Sequence, residues 1–232
     1  MDSGFFRNSA GPHHAPRPAR RASGPRPFFP RSSLTPPAYD SPPRRGEAPL
    51  ERIVLLGFMC SGKSSVAASL ARRLDWRFLD FDVEIERREG RPVAAIIDAQ
   101  GEEYFRSLEA ALTEEVARVP GIVLAPGGGW ITQPGLLERL RPGTLSVWLR
   151  VSPEETARRL LGDEIDRPLR DHPEPEVPIR EILAEREPLY RLADLTVPGD
   201  RRSVEEVAFE IEQLARTRGA RSPRWSGDGY EE

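Results

Sequence analysis

The chain reads as an α/β domain built on a parallel sheet covered on both faces. Short apolar runs alternate with longer amphipathic stretches from residue 53 to residue 217, and a glycine-rich loop sits directly between the first run and the first helix. At 232 residues the chain has room for one such domain plus tails.

The five runs read as strands are Ile53–Leu56, Arg77–Leu79, Ile122–Ala125, Leu145–Leu149 and Leu195–Val197, each too short for a helix. Helical patterns lie between and after them at Ser64–Leu74, Gly101–Arg118, Pro153–Leu161, Pro178–Leu192 and Ser203–Thr217, the last opening on a Ser-x-x-Glu capping signal at Ser203 and Glu206. The predicted domain spans 49–217. Residues 1–48 are dense in proline, with 8 arginines against 3 acids, and cannot bury enough apolar surface to offset ordering entropy. They are expected to be a disordered tail, and residues 218–232, rich in Gly, Ser and Arg, a flexible C-terminal one.

Composition excludes several function classes. With 34 basic and 37 acidic residues the formal charge is −3, so nothing global points to nucleic acid or an anionic membrane. Setting aside the 8 arginines and 3 acids of the first tail leaves 26 against 34, a net −8, so cationic positions in the core stand out. No stretch approaches the roughly 20 apolar residues of a membrane span. Cys60 is the sole cysteine, which rules out an intramolecular disulfide and suits a reducing, cytoplasmic compartment. Lys63 is the sole lysine among the basic residues, as expected where a compact ammonium is needed and arginine will not serve.

That lysine lies in Gly57-Phe58-Met59-Cys60-Ser61-Gly62-Lys63-Ser64, a G-x-x-x-x-G-K-S loop after a strand and before a helix. This P-loop pattern predicts that backbone N–H groups from Gly57 through Cys60, Ser61, Gly62, Lys63, Ser64 and Ser65 cradle phosphates beside the positive end of a helix. Lys63 is expected to reach the β- and γ-phosphates of ATP and the Ser64 hydroxyl to ligate Mg²⁺. The loop leaves the phosphoryl acceptor open, and other signals must name it. Asp80 and Asp82 follow the second strand, Asp80 placed for the metal's waters and Asp82 for an acceptor hydroxyl. Arg106, in Gly101-Glu102-Glu103-Tyr104-Phe105-Arg106, offers a bidentate fork to a carboxylate, and Gly127, Gly128 and Gly129 after the third strand bring bare backbone to a ligand.

In order, these segments resemble the shikimate kinase family from Arg52 to Gln213: the P-loop, Asp-x-Asp, Gly-Glu-x-x-Phe-Arg with Glu109 following, Gly-Gly-Gly, Arg167-Pro168-Leu169, and Arg186-Glu187-Pro188-Leu189-Tyr190. The resemblance implies a P-loop three-layer α/β/α fold similar to nucleoside monophosphate kinases, with sheet order 2-3-1-4-5 and a mobile lid. It implies phosphorylation of the 3-hydroxyl of shikimate by MgATP, a step of aromatic amino-acid biosynthesis; with no composition signal for a nucleic-acid or membrane partner, the protein is expected to act as a monomer on small molecules. It implies that Asp82 meets the acceptor hydroxyl, that Arg106 and Arg186 grip the shikimate carboxylate beside Gly127–Gly129, and that Arg167 closes on the phosphates from the lid. Cys60 stands where the family often carries glycine, Pro126 where threonine is usual, and Arg170 where a second leucine is expected. The family's adenine-contacting arginine falls on Arg159 only with a one-residue shift. A gluconate or nucleoside monophosphate kinase, or a silent P-loop binding module, is the alternative reading; paired arginines for a carboxylate argue for the anionic acceptor.

Overall fold

A computed structural model describes residues 38–39, 50–162, 169–170 and 172–224. Its centre is an all-parallel sheet of β1 (Arg52–Leu56), β2 (Arg77–Asp80), β3 (Ile122–Ala125), β4 (Thr144–Arg150) and β5 (Leu195–Pro198). The spatial order is β2-β3-β1-β4-β5, so the order that the resemblance implied is present. β1 is the middle strand, in register with β3 from Arg52 opposite Ile122 and with β4 from Arg52 opposite Thr144.

A strand buried on both faces has no need of polar alternation, and all five residues of β1 are buried. Its side chains nevertheless alternate between two cores. Ile53 and Leu55 join Val123, Leu145 and Val147 beneath the helices α1 (Lys63–Leu74) and α8 (Val204–Thr217). Val54 and Leu56 join Leu79, Leu124 and Trp148 on the opposite face, under α4 (Glu102–Val116) and α5 (Leu136–Leu140).

Three helices beyond the expected ones complete that second layer. Phe81–Glu89 forms α2, which Asp80 starts by accepting a 3.3 Å hydrogen bond from Val83 N and Gly90 ends in the left-handed region at φ 68°. Val93–Gln100 forms α3 after Pro92, and α5 is a five-residue piece leading into β4. The remaining helices, α6 (Pro153–Leu161) and α7 (Glu176–Tyr190), lie between β4 and β5 in sequence and meet in a small core of Phe58, Ala157, Leu160 and Ile179, and α8 carries the full capping box of Ser203 and Glu206. Within the two terminal segments read as loose, Ala38–Tyr39 and Pro223–Arg224 pair antiparallel, and Trp76 Nε1 donates to the Arg221 carbonyl at 2.7 Å beside that pairing. Among the described residues no helix is long and apolar enough to cross a membrane.

Candidate active site

In an open parallel sheet the carboxyl ends of neighbouring strands define one crevice. Here β1 ends in the phosphate loop, β2 in Asp80, and β3 in Pro126 and the three glycines. They enclose a cleft of about 370 Å³ lined by Lys63, Ser64, Asp80, Asp82, Gly127 and Arg159.

The loop's shape follows from its residue types. Gly57 has φ 149°, and a Cβ there would meet the Leu149 carbonyl and Ser61 Oγ at 2.8 Å, so only glycine fits. Cys60 sits in the left-handed region at φ 57°, which explains why glycine is the residue expected there. Gly62, at φ 91°, caps α1, whose first residue is Lys63. Lys63 Nζ donates to the Gly57 and Phe58 carbonyls at 3.0 and 2.9 Å, curling over the loop it belongs to. Ser64 Oγ donates to Asp80 Oδ2, so the two expected metal-side residues meet. Ser65, exposed in the first turn of α1, lines the same cleft, and the buried Ser61 faces Gly57.

The three glycines explain the acceptor side one by one. None needs positive φ; each is demanded by a close approach instead. A Cβ on Gly127 would stand 3.0 Å from Glu109 Oε1 and 3.1 Å from Asp82 Oδ1. On Gly128 it would stand 3.1 Å from the Met59 amide nitrogen, so this residue lets the β3 loop pack on the phosphate loop. On Gly129 it would collide with the Arg106 guanidinium, 2.3 Å from Nη2. Arg186 Nη1 and the Tyr190 hydroxyl both donate to the Gly128 carbonyl, at 3.4 and 2.8 Å, and Arg186 lies over the Phe58 ring. Asp82, Arg106 and Arg186, far apart in sequence, therefore converge on three consecutive residues.

Arg106 is held by two carboxylates on its own helix. Its Nη1 donates to Glu109 Oε2 and its Nη2 to Glu102 Oε1, both at 2.7 Å. Glu109 is fully buried. That burial pushes its carboxyl up to about 7, Arg106 opposing the rise and the charge of Asp82 adding to it.

Arg159, which the resemblance reaches only with a one-residue shift, lines the cleft beside the phosphate loop. Its guanidinium donates to the Cys60, Ser61 and Gly199 carbonyls at 3.3, 3.4 and 2.6 Å, tying the phosphate loop to the turn after β5. Beyond it lies a second cavity of about 490 Å³, also lined by Gly62, Arg158 and Arg202. Gln133, whose amide reaches Glu109 Oε2 at 2.7 Å, belongs to no motif. Arg167 lies outside the described residues. Among those residues no group of three or more His, Cys, Asp or Glu could hold a metal ion.

The shikimate kinase family model matches residues 59–216. A shikimate kinase of Caldanaerobacter subterraneus subsp. tengcongensis is 40% identical over 162 residues, covering 70% of this chain and 94% of that one. One from Moorella thermoacetica is 42% identical over 161 residues, covering 69% and 92%. Among solved structures, shikimate kinase from Acinetobacter baumannii in complex with shikimate superposes with a TM-score of 0.67 at 35% identity, covering 73% of this chain and 95% of that one.

Proposed function

The chain belongs to the shikimate kinase family, and on that premise we propose how its residues divide the transfer of a phosphoryl group from ATP to the 3-hydroxyl of shikimate. The enzyme is an ATP-dependent kinase acting on a small molecule. The observation that carries the division of labour is the convergence of Asp82, Arg106 and Arg186 on Gly127–Gly129, one loop away from Lys63.

On the donor side, amides of Gly57 and Cys60 through Ser65 hold the phosphates, and Lys63 exchanges its two carbonyl partners for phosphate oxygens. Ser64 and Asp80 form an all-oxygen pair at the cleft, the donor type a hard divalent cation takes, and they would hold Mg²⁺ directly and through water. When bound, Mg²⁺ neutralises charge on the phosphate oxygens. Cations near the last phosphate are the principal catalytic device, since phosphoryl transfer depends on positioning and charge stabilisation. By the resemblance, Arg167 is assigned to the same task.

On the acceptor side, Arg106 and Arg186 grip the shikimate carboxylate, with backbone of Gly127, Gly128 and Gly129 beneath it. Two guanidiniums suit an anionic alcohol because the chain, net −3, otherwise repels it. Asp82 orients the acceptor hydroxyl and takes its proton as the oxygen bonds to phosphorus and the bond to the ADP oxygen breaks. We assign this chemistry to a unit spanning residues 49–217, working as a cytoplasmic monomer.

A coupled ADP-release assay tests the reading. Shikimate-dependent turnover is expected, and Arg106→Lys should raise the KM for shikimate at least about tenfold while leaving that for ATP within about twofold, because a point charge cannot replace a fork. Equal losses for both ligands would remove Arg106 from the acceptor site. Turnover with gluconate or a nucleotide in place of shikimate would overturn the acceptor.

A further inference from the structure

We infer that Gln133 is a positioning residue for acceptor binding: it fixes the Glu109 carboxylate so that Arg106 is presented across Gly129 toward the acceptor. The inference rests on the assignment of Arg106 to the acceptor's carboxylate.

Glu109 Oε2 receives two hydrogen bonds of 2.7 Å, one from Arg106 Nη1 and one from Gln133 Nε2. The other oxygen, Oε1, is buried and has no hydrogen-bond partner among the described residues. The two donors thus share a single atom, which defines the rotation of a carboxylate that no solvent reaches. Without the amide, Oε2 keeps one donor and the carboxylate is free to swing so that both oxygens face Arg106. A guanidinium that follows it leaves the face of Gly129.

The other tether of Arg106 cannot hold it in place. Glu102 takes both Nε and Nη2 of Arg106, at 3.2 and 2.7 Å, but its side chain is 67% exposed, where an i,i+4 ion pair is weak. Glu109 is the anchor that sets the guanidinium, and Gln133 sets the anchor. Among the described residues the charged groups acting on Glu109 are Arg106 on its own helix and Asp82 from α2.

Gln133 is also mechanically joined to the glycines. Thr132 N donates to the Gly129 carbonyl at 3.0 Å and Gln133 N to the Trp130 carbonyl at 3.1 Å, making one tight turn of Trp130–Thr132. The fully buried Trp130 pins that turn to α4 through a 2.9 Å bond from Nε1 to Thr113 Oγ1. One turn therefore supplies both the glycine surface under Arg106 and the amide behind Glu109.

The test is steady-state kinetics of Gln133→Ala and of the isosteric Gln133→Glu, with Arg106→Ala alongside. Removing a hydrogen bond to a charged group is worth about a tenfold change. We expect the KM for shikimate to rise about tenfold in Gln133→Ala, and further in Gln133→Glu at mildly alkaline pH, where a second carboxylate faces Glu109. The KM for ATP should stay within about twofold and the thermal midpoint within a few degrees. An unchanged KM for shikimate in both variants, or equal rises for both substrates, overturns the inference. If Arg106→Ala itself leaves the KM for shikimate unchanged, the underlying assignment fails instead; if it raises that KM and the Gln133 variants do not, the positioning role alone falls.

Discussion

The guanidinium of Arg106 lies against the α-carbon of Gly129 so closely that a Cβ would come within 2.3 Å of Nη2. The contact is with the far end of a side chain, so Gly129→Ala folds by pushing Arg106 aside. We predict a loss of about 10- to 100-fold in kcat/KM for shikimate with the KM for ATP nearly unchanged, measured in the ADP-release assay. Parallel loss of ATP affinity would mean that the phosphate loop, packed on neighbouring Gly128, had moved as well.

Glu109 makes stability depend on pH in the direction opposite to a salt-bridged surface carboxylate. Burial raises its folded-state value from the ordinary 4.5 to about 7, so the folded protein binds a proton that the unfolded chain has released between those limits. The associated stability is present below about pH 4.5 and is lost as pH rises through about 7, a contribution on the order of 3 kcal/mol. Urea unfolding of the wild type and of Glu109→Gln across this window should differ in slope, the variant being the flatter. Identical slopes would place the titration elsewhere.

Arg159 links the Cys60 and Ser61 carbonyls to Gly199 with a planar fork that lysine cannot imitate. Arg159→Lys should raise the KM for ATP about tenfold and leave that for shikimate within about twofold. The same substrate assay read in reverse checks it, since the donor and acceptor sides meet this chain at different residues.

How much of this was legible in the sequence depends on what kind of signal each part carries. β1 and β3 were readable because a strand buried on both faces is a short unbroken apolar run, and β2, β4 and β5 because short apolar pieces too brief for a helix recur between the helical stretches. α2 was not, since Phe81–Glu89 is mostly charged and rests on a cap that Asp80 supplies while also bonding Ser64. The pairing of Ala38–Tyr39 with Pro223–Arg224 joins residues too far apart for any local pattern. The glycine triplet was readable as a site for close approach, but which neighbour each glycine admits is a property of packing. Gln133 is the extreme case: a lone amide, four residues after Gly129, becomes significant only because Glu109 is buried opposite it.

Tyr190 offers the cleanest single-atom test of the acceptor loop. Its ring is stacked on Trp148 with centroids 5.7 Å apart, and its hydroxyl donates to the Gly128 carbonyl at 2.8 Å, the same oxygen that Arg186 reaches only at 3.4 Å. Burial pushes the phenol up to about 12, so it stays a proton donor throughout the working range. Tyr190→Phe keeps the stacked ring and removes only the donor, a change of about 1 kcal/mol. We predict roughly a fivefold drop in kcat/KM for shikimate, with Arg186 left as the sole side-chain donor to Gly128 among the described residues. If the drop falls on ATP instead, the hydroxyl supports the phosphate loop through the Gly128 contact with Met59 and not the acceptor.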